Sequence, residues 1–434
     1  MAESPAQYTL RSTRVVLPDG VRPADIHIAN GRIASVTTPK TQLPSSNLHD
    51  LGDLVIMPGL VDTHVHVNEP GRTNWEGFET ACAAAAAGGV TTIVDMPLNS
   101  VPATTTVRAL NEKRRAAGQA RVHVEFWGGV VPGNASEIDP LADAGVRGFK
   151  CFLSPSGVDE FACVDEGDLR AALPILATRN LPLLVHAELP ASLRPIPVVS
   201  DGREYRTWLD SRPDAAERDA IAMLVAMCRE YRARIHVVHV ASAAALPLLR
   251  EARAEGLPLT AETCPHYLTF AAAEIPAGGT EFKCAPPIRD AATRDALWMA
   301  LEDGTLDLVA SDHSPCPPAM KEGGDFVKAW GGIASLELGL AAVWTGASVR
   351  RIGLDRVAQW LSSAPAALAG LEATKGRVAP GLDADLAVWN PSAEWVVDRR
   401  RLHQRHPVTP YHGRTLCGRV VETYVRGRLV YRDT

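Results

Sequence analysis

Between residues 60 and 311 the chain repeats one rhythm eight times: a short apolar run, then a helical stretch. The runs cover 60–67, 91–95, 122–127, 146–152, 183–186, 235–240, 259–262 and 306–311. Short β-rich runs bounded by turn residues read as buried strands. The Ala-rich or amphipathic stretches between them, such as 80–87, 106–117 and 217–231, read as helices. Eight βα units in roughly 250 residues predict a TIM (β/α)8 barrel, with its working groups at the C-terminal ends of the strands. An open doubly wound sheet is the competing α/β fold. It fits less well, because no glycine-rich phosphate loop follows the first run.

The two ends of the chain have a different texture. Residues 8–17, 25–28, 32–36 and 54–57 are β-like, with turn signals at Pro18-Asp19-Gly20 and Asn30-Gly31. Residues 385–389, 394–397, 420–425 and 428–431 repeat that texture. Neither end has strands enough to close a core alone, so the two are expected to combine into one small antiparallel β-sandwich. The expected division is 1–56 plus 377–434 for the sandwich and 57–376 for the barrel.

Composition narrows the class. A 46% apolar and 22% charged chain of 434 residues is an ordinary globular protein. A net charge of −6 gives no basic face for nucleic acid. No long apolar run suggests a transmembrane helix, and Met1-Ala2-Glu3-Ser4-Pro5 lacks the features of a signal peptide. The eight cysteines form no Cys-x-x-Cys pair, as expected of thiols in a reducing compartment, so a cytoplasmic location follows.

The polar residues at the strand ends carry the chemistry. His64 and His66, at i and i+2, share one face of the first strand. Lys150 interrupts an apolar strand, the fifth run ends at His186, the sixth carries His239, and Asp312-His313 follow the eighth. Any one of these has a plain structural explanation, such as a hydrogen-bonded core histidine. Together at one barrel mouth they suit divalent metal, and four histidines, an aspartate and a lysine suggest two ions. Burial beside cations lowers a lysine's pKa and frees the amine. A free amine takes up carbon dioxide, and the resulting carbamate can bridge two metals roughly 3.5–4 Å apart. The reaction class that follows is hydrolysis of a carbonyl compound by metal-activated water, with Asp312 as metal ligand and general base.

These residues sit in motifs that resemble the cyclic amidohydrolases, the family of dihydroorotases, hydantoinases or dihydropyrimidinases, and allantoinases. The matching pieces are Pro58-Gly59-Leu60-Val61-Asp62-Thr63-His64-Val65-His66, Gly89-Val90-Thr91-Thr92, Glu262-Thr263-Cys264-Pro265-His266-Tyr267-Leu268, Ser311-Asp312-His313 and Gly381-Leu382-Asp383-Ala384-Asp385-Leu386. The resemblance implies two divalent ions (zinc first, cobalt or manganese otherwise) held by His64, His66, a carboxylated Lys150, His186, His239 and Asp312. It also implies a homotetramer or homodimer. Asn68 to Gly77, Asp95 to Ser100, Phe149 to Leu153 and Trp330 to Ile333 are similar to the allantoinase signatures within the family. That likeness implies opening of the hydantoin ring of allantoin to allantoate.

Two departures point away from the sister activities. Asn68 stands where dihydroorotases usually place an arginine for the substrate carboxylate. Ser154-Pro155-Ser156-Gly157 stands where hydantoinases carry a tyrosine. Asn68 and Ser154 are therefore expected substrate contacts, the resemblance implies that the backbone near Ala285 meets the ring amide, and His313 either touches substrate or shapes a loop. For Asn68 this assumes that the strand pleat continues past His66, and a nearby Arg72 is a second source of positive charge. His266 either touches substrate or shapes a loop. The long loops 188–212 and 316–330 are expected lids. His123, His236, His403, His406 and His412 read as structural or surface residues. A non-catalytic scaffold relative is the alternative outside enzymology, and metal analysis separates the two.

Overall fold

The computed structural model of the chain describes residues 7–39, 47–197 and 200–433. The segment on which the signal-peptide expectation rests lies outside the described residues. Eight strands form the barrel: Leu60–Val65, Val90–Asp95, His123–Phe126 continued by Gly128–Gly129, Phe149–Phe152, Leu183–His186, Ile235–Val237, Leu259–Thr263 and Leu308–Val309. Each pairs in parallel with its neighbour in chain order. The third strand breaks at Trp127, whose indole N–H donates to the Thr63 carbonyl at 2.8 Å. Before the break it pairs with the second strand and after it with the fourth. A bridge between Val65 and His313 joins the eighth element to the first, and the His66 N–H donates to the His313 carbonyl at 2.8 Å. The buried Asp62 carboxylate strengthens this seam by accepting from the backbone N–H groups of His64 and Ser311.

Three strands stop short of their expected ends. The runs 60–67, 235–240 and 306–311 close as strands at Val65, Val237 and Val309. The backbone turns soon after each stop, because Asn68, His239 and Asp312 take φ of 67°, 43° and 47°. Non-glycine residues rarely adopt that region, and such positions cluster at functional sites.

The helices pack their apolar stripes on the barrel. Asp214–Tyr231 buries Ala220, Ile221, Leu224, Val225 and Cys228 at helical spacing. Glu166–Arg179 starts at a capping box between Asp165 and Asp168 and ends at Asn180 in the left-handed region. Among the described residues no helix is long and apolar enough to cross a membrane.

The chain ends meet in one sheet. Its order is Arg428–Arg432, Thr415–Val425, Leu386–Val396, Val55–Pro58, Tyr8–Leu17, Gly20–Ala29, Arg32–Thr37, with Leu48–Asp50 beside Tyr8–Leu17. Leu10, Ile26, Ile33, Ile56, Leu386 and Val388 pack into one core, so strands from both ends build the small β-sandwich. Two expectations are corrected. The sheet is mixed, since Tyr8–Leu17 runs parallel to Leu48–Asp50 and Val55–Pro58. The runs 385–389 and 394–397 are one strand, Leu386–Val396, because a register irregularity between Asn390 and Glu394 absorbs the intervening turn residues.

Candidate active site

His64 and His66 lie at the end of the first strand with ring centroids 5.5 Å apart. Asp312 reaches them from the eighth, its Oδ1 3.2 Å from His64 Nε2 and 3.4 Å from His66 Nε2. Nitrogen and oxygen atoms from this trio lie within 4.8 Å of one another, a spacing that suits one divalent ion. On the far side His186 Nδ1 and His239 Nε2 face each other at 3.0 Å. The His64 and His239 rings, 5.4 Å apart, connect the two groups. All five side chains line one cavity. Lys150 lies beneath it, wholly buried, its Nζ 4.7 Å over the Phe152 ring and without a hydrogen-bond partner.

The electrostatics follow from burial. Burial lowers Lys150 to about 8 and His66 to about 4. It also carries His239 well below its ordinary value, with His186 adding to the effect. Burial pushes the Asp312 carboxyl up, yet the facing His64 and His66 hold it well below its usual range. Burial thus favours neutral His66, His186 and His239, the Asp312 carboxylate is ionised, and the lysine gives up its proton more readily than an exposed one. That is the protonation state ligands need.

The donor set fits a pair of divalent ions. His239 Nδ1 and Lys150 Nζ are buried polar atoms without hydrogen-bond partners. Such atoms are costly unless something meets them. A second group, Cys264, His266 and Asp312, also has ligand atoms within 4.8 Å. Burial, however, holds the Cys264 thiol far above its ordinary value and thus protonated.

Carboxylates orient the rings from behind. Glu262 accepts from His64 Nδ1 at 2.6 Å and His236 Nε2 at 3.1 Å. Glu188 accepts from His186 Nε2 at 2.8 Å and is also bound by Arg212. Asn99 Nδ2 lies 3.2 Å from His66 Nδ1. The carboxylate partners fix ring orientation and raise ligand basicity.

A family model described as "Amidohydrolase family" matches residues 55–430. The chain belongs to the amidohydrolase family. Over 99% of its length it is 51% identical to the allantoinase of Streptomyces avermitilis, covering 96% of that protein. It is 44% identical to the allantoinase of Arabidopsis thaliana and 45% identical to that of Saccharomyces cerevisiae. These matches span 98% and 92% of the chain and 88% of each relative. Among solved structures, the L-hydantoinase (dihydropyrimidinase) of Arthrobacter aurescens superimposes with a TM-score of 0.93. It shares 32% identity, and the match covers 98% of this chain and 96% of that one.

The expected substrate contacts scatter. Ala285 lines the cavity, while Asn68, Ser154 and His313 are not among its lining residues. The pleat assumed for Asn68 ends at Val65, and the turn at Asn68 sends its Nδ2 to the Pro315 carbonyl at 3.4 Å. Ser154 is buried, and Ser156 reaches the cavity instead. His313 Nδ1 accepts from the N–H groups of Ser335 and Leu336, a loop-holding role. Arg72 is committed to Glu160 and the Asn99 carbonyl. His236, read as structural, belongs to the carboxylate support of His64.

Asn99, Phe152, Ser156, Arg212 and Trp330 line the cavity without having been singled out by their chemistry. Asn99, Phe152 and Trp330 do fall inside the family-like motifs. Arg212 and Trp330 end the two loops expected to act as lids.

Proposed function

We propose that this metal-dependent cyclic amidohydrolase opens the hydantoin ring of allantoin to give allantoate, a step of purine breakdown. Water adds across the ring amide: the carbonyl carbon gains oxygen and becomes a carboxylate, the departing ring nitrogen gains one of the water's protons, and the other is released to solvent. The observation that carries the substrate is likeness over nearly the whole chain to allantoinases of bacterial, plant and fungal origin.

His64, His66, Lys150 as its carbamate, His186, His239 and Asp312 would hold two divalent ions, zinc in our reading. When bound, such ions supply Lewis acidity toward the ring carbonyl and lower the pKa of a nearby water. Asp312 takes the proton of the attacking water on a carboxylate oxygen and returns it to the leaving nitrogen. Its ionised state and its place between His64 and His66 support that role. Glu262, Glu188 and Asn99 hold the imidazoles in register. Ala285 presents its backbone to the ring. Ser154 and His313, with the turn at Asn68, shape the surrounding loops.

We further read the chain as two domains, 1–56 with 377–434 and 57–376, assembled as a homotetramer or homodimer in the cytoplasm. Eight free cysteines are consistent with a reducing compartment.

The test is a panel of allantoin, dihydroorotate, dihydrouracil and hydantoin on metal-replete protein. Allantoin should give the highest kcat/KM. Faster opening of dihydroorotate or dihydrouracil would overturn the assignment.

A further inference from the structure

Trp330 lines the active-site cavity, yet its indole N–H is buried and has no hydrogen-bond acceptor. An indole N–H is a donor only, and leaving it unpaired out of water is unfavourable. Trp127, Trp208, Trp298, Trp344 and Trp395 each donate theirs to a backbone carbonyl. Trp389 shares the lack, but it is wholly buried, edge-on to Trp344. Trp330 alone combines an orphaned N–H with a wall of the reaction cavity among the described residues.

The ring is held firmly. Lys283 Nζ donates to the Ala329 carbonyl at 2.5 Å, and Lys321 Nζ donates to the Gly332 carbonyl at 2.8 Å. Two buried amines therefore pin the backbone on either side of Trp330 and Gly331. The Trp330 backbone N–H donates to the Met320 carbonyl at 2.9 Å, and the indole stands edge-on to Trp75 at 4.9 Å. A Cβ placed on Gly157 would meet the indole's six-membered ring at 3.5 Å, so the side chain also abuts the loop after the fourth strand. A donor fixed in this way loses little entropy when an acceptor arrives.

We propose that Trp330 is a specificity-determining residue whose indole N–H donates to the carbonyl oxygen of the substrate's ureido arm. This rests on the reading of allantoin as substrate. The acceptor it seeks is neutral, because an uncharged donor cannot compensate a buried carboxylate. The cations near the cavity do not alter that balance: Arg212 is bound to Glu188 and Arg72 to Glu160. A ureido carbonyl fits this site, whereas the carboxylate of dihydroorotate does not. The ring amide is left to Asp312 and the metal centre.

The experiment compares allantoin with hydantoin, which has the ring and lacks the arm, as substrate or competitive inhibitor. Trp330→Phe removes the donor and keeps an aromatic ring against Trp75. Replacing Trp330 by 3-benzothienylalanine removes the N–H with almost no change in shape, which covers a Phe variant that folds poorly. Both should lower kcat/KM for allantoin by roughly five- to tenfold, the loss of one uncharged hydrogen bond. The kinetic or inhibition constant for hydantoin should stay unchanged. Equal losses on both compounds, or no loss on allantoin, would overturn the inference and leave the substrate assignment standing. A wild-type enzyme that leaves allantoin intact would remove both.

Discussion

Glu262→Gln isolates what a carboxylate behind a ligand ring contributes. Glu262 is fully buried, and its two oxygens meet His64 Nδ1 at 2.6 Å and His236 Nε2 at 3.1 Å. Burial pushes this carboxyl up, but His64 and then His236 bring it down to about 2, so it is ionised at any working pH. An amide keeps one acceptor for His64 and turns its NH2 toward His236. His236 can accommodate that by changing tautomer, because its Nδ1 lies 2.8 Å from Thr260 Oγ1, a group that both donates and accepts. The fold should therefore survive while His64 exchanges a charge-assisted bond for a neutral one. Bonds to charged groups contribute about 1.5–3 kcal/mol and neutral ones about 0.5–1.5. The mid-range difference, about 1.3 kcal/mol, is close to a tenfold loss, at the low end of the roughly 10–100-fold range for such outer partners. Metal affinity should fall about tenfold by chelator competition, with an unchanged circular dichroism spectrum. Wild-type affinity in both Glu262→Gln and Glu262→Ala would refute the argument that this carboxylate tunes the site.

Lys150→Ala should lose bound metal and most activity, with partial rescue by short carboxylic acids; wild-type metal content and rate would reduce Lys150 to a core residue. Asp312→Asn keeps the shape and removes the base, so kcat should fall by roughly 10²–10⁴-fold at full metal occupancy. A near-normal rate would move proton transfer to another group. Exhaustive chelation should abolish turnover, and zinc should restore it; activity that persists would remove the mechanism. His403 pairs with Glu337 at 3.1 Å, which raises its pKa above the ordinary value. Its folded pKa then exceeds the unfolded one, so the stabilisation is complete below about pH 6.5 and is lost as pH rises through the folded value. His403→Gln should accordingly lower the Tm more at pH 5.5 than at pH 9, and an equal drop at both would show that the charge is irrelevant.

The barrel was readable because its signal is local and repeated. The stretches Ile93-Val94 and Leu183-Leu184-Val185 are apolar on both faces, as parallel strands covered by helices must be. The Asn30-Gly31 turn was readable for a similar reason, since both residues take positive φ (54° and 76°) as a tight hairpin requires. The strand ends were not. Nothing local in 235–240 announces that His239 turns into the left-handed region, because that geometry is imposed by tertiary structure at the mouth. The error over Asn68 has the same origin: extending a pleat by one step is safe inside a strand and unsafe past its end. Parallel pairing of residues 9–11 with 48–50 was likewise hidden, since adjacency in sequence favours the antiparallel alternative. Arg212 and Trp330 were out of reach for another reason. They reach the cavity from long loops, where no periodicity assigns a direction to a side chain.

Among the described residues five lysines are buried: Lys113, Lys150, Lys283, Lys321 and Lys375. Lys113 pairs with Asp95 and donates to the Met96 carbonyl, both at 2.7 Å. Lys375 meets Asp385 at 2.5 Å and Asp383 at 3.2 Å. Lys283 and Lys321 are capped by backbone carbonyls. A buried ammonium needs such partners, and four of the five have them. Lys150 has none: burial lowers its pKa, and the nearby Glu262 and Asp312 carboxylates offset that only in part. An amine left bare there is unstable as a cation and poorly used as a core filler. Both problems disappear if the nitrogen leaves its basic form and carries an anionic group toward metal, which is the chemistry a carbamate supplies.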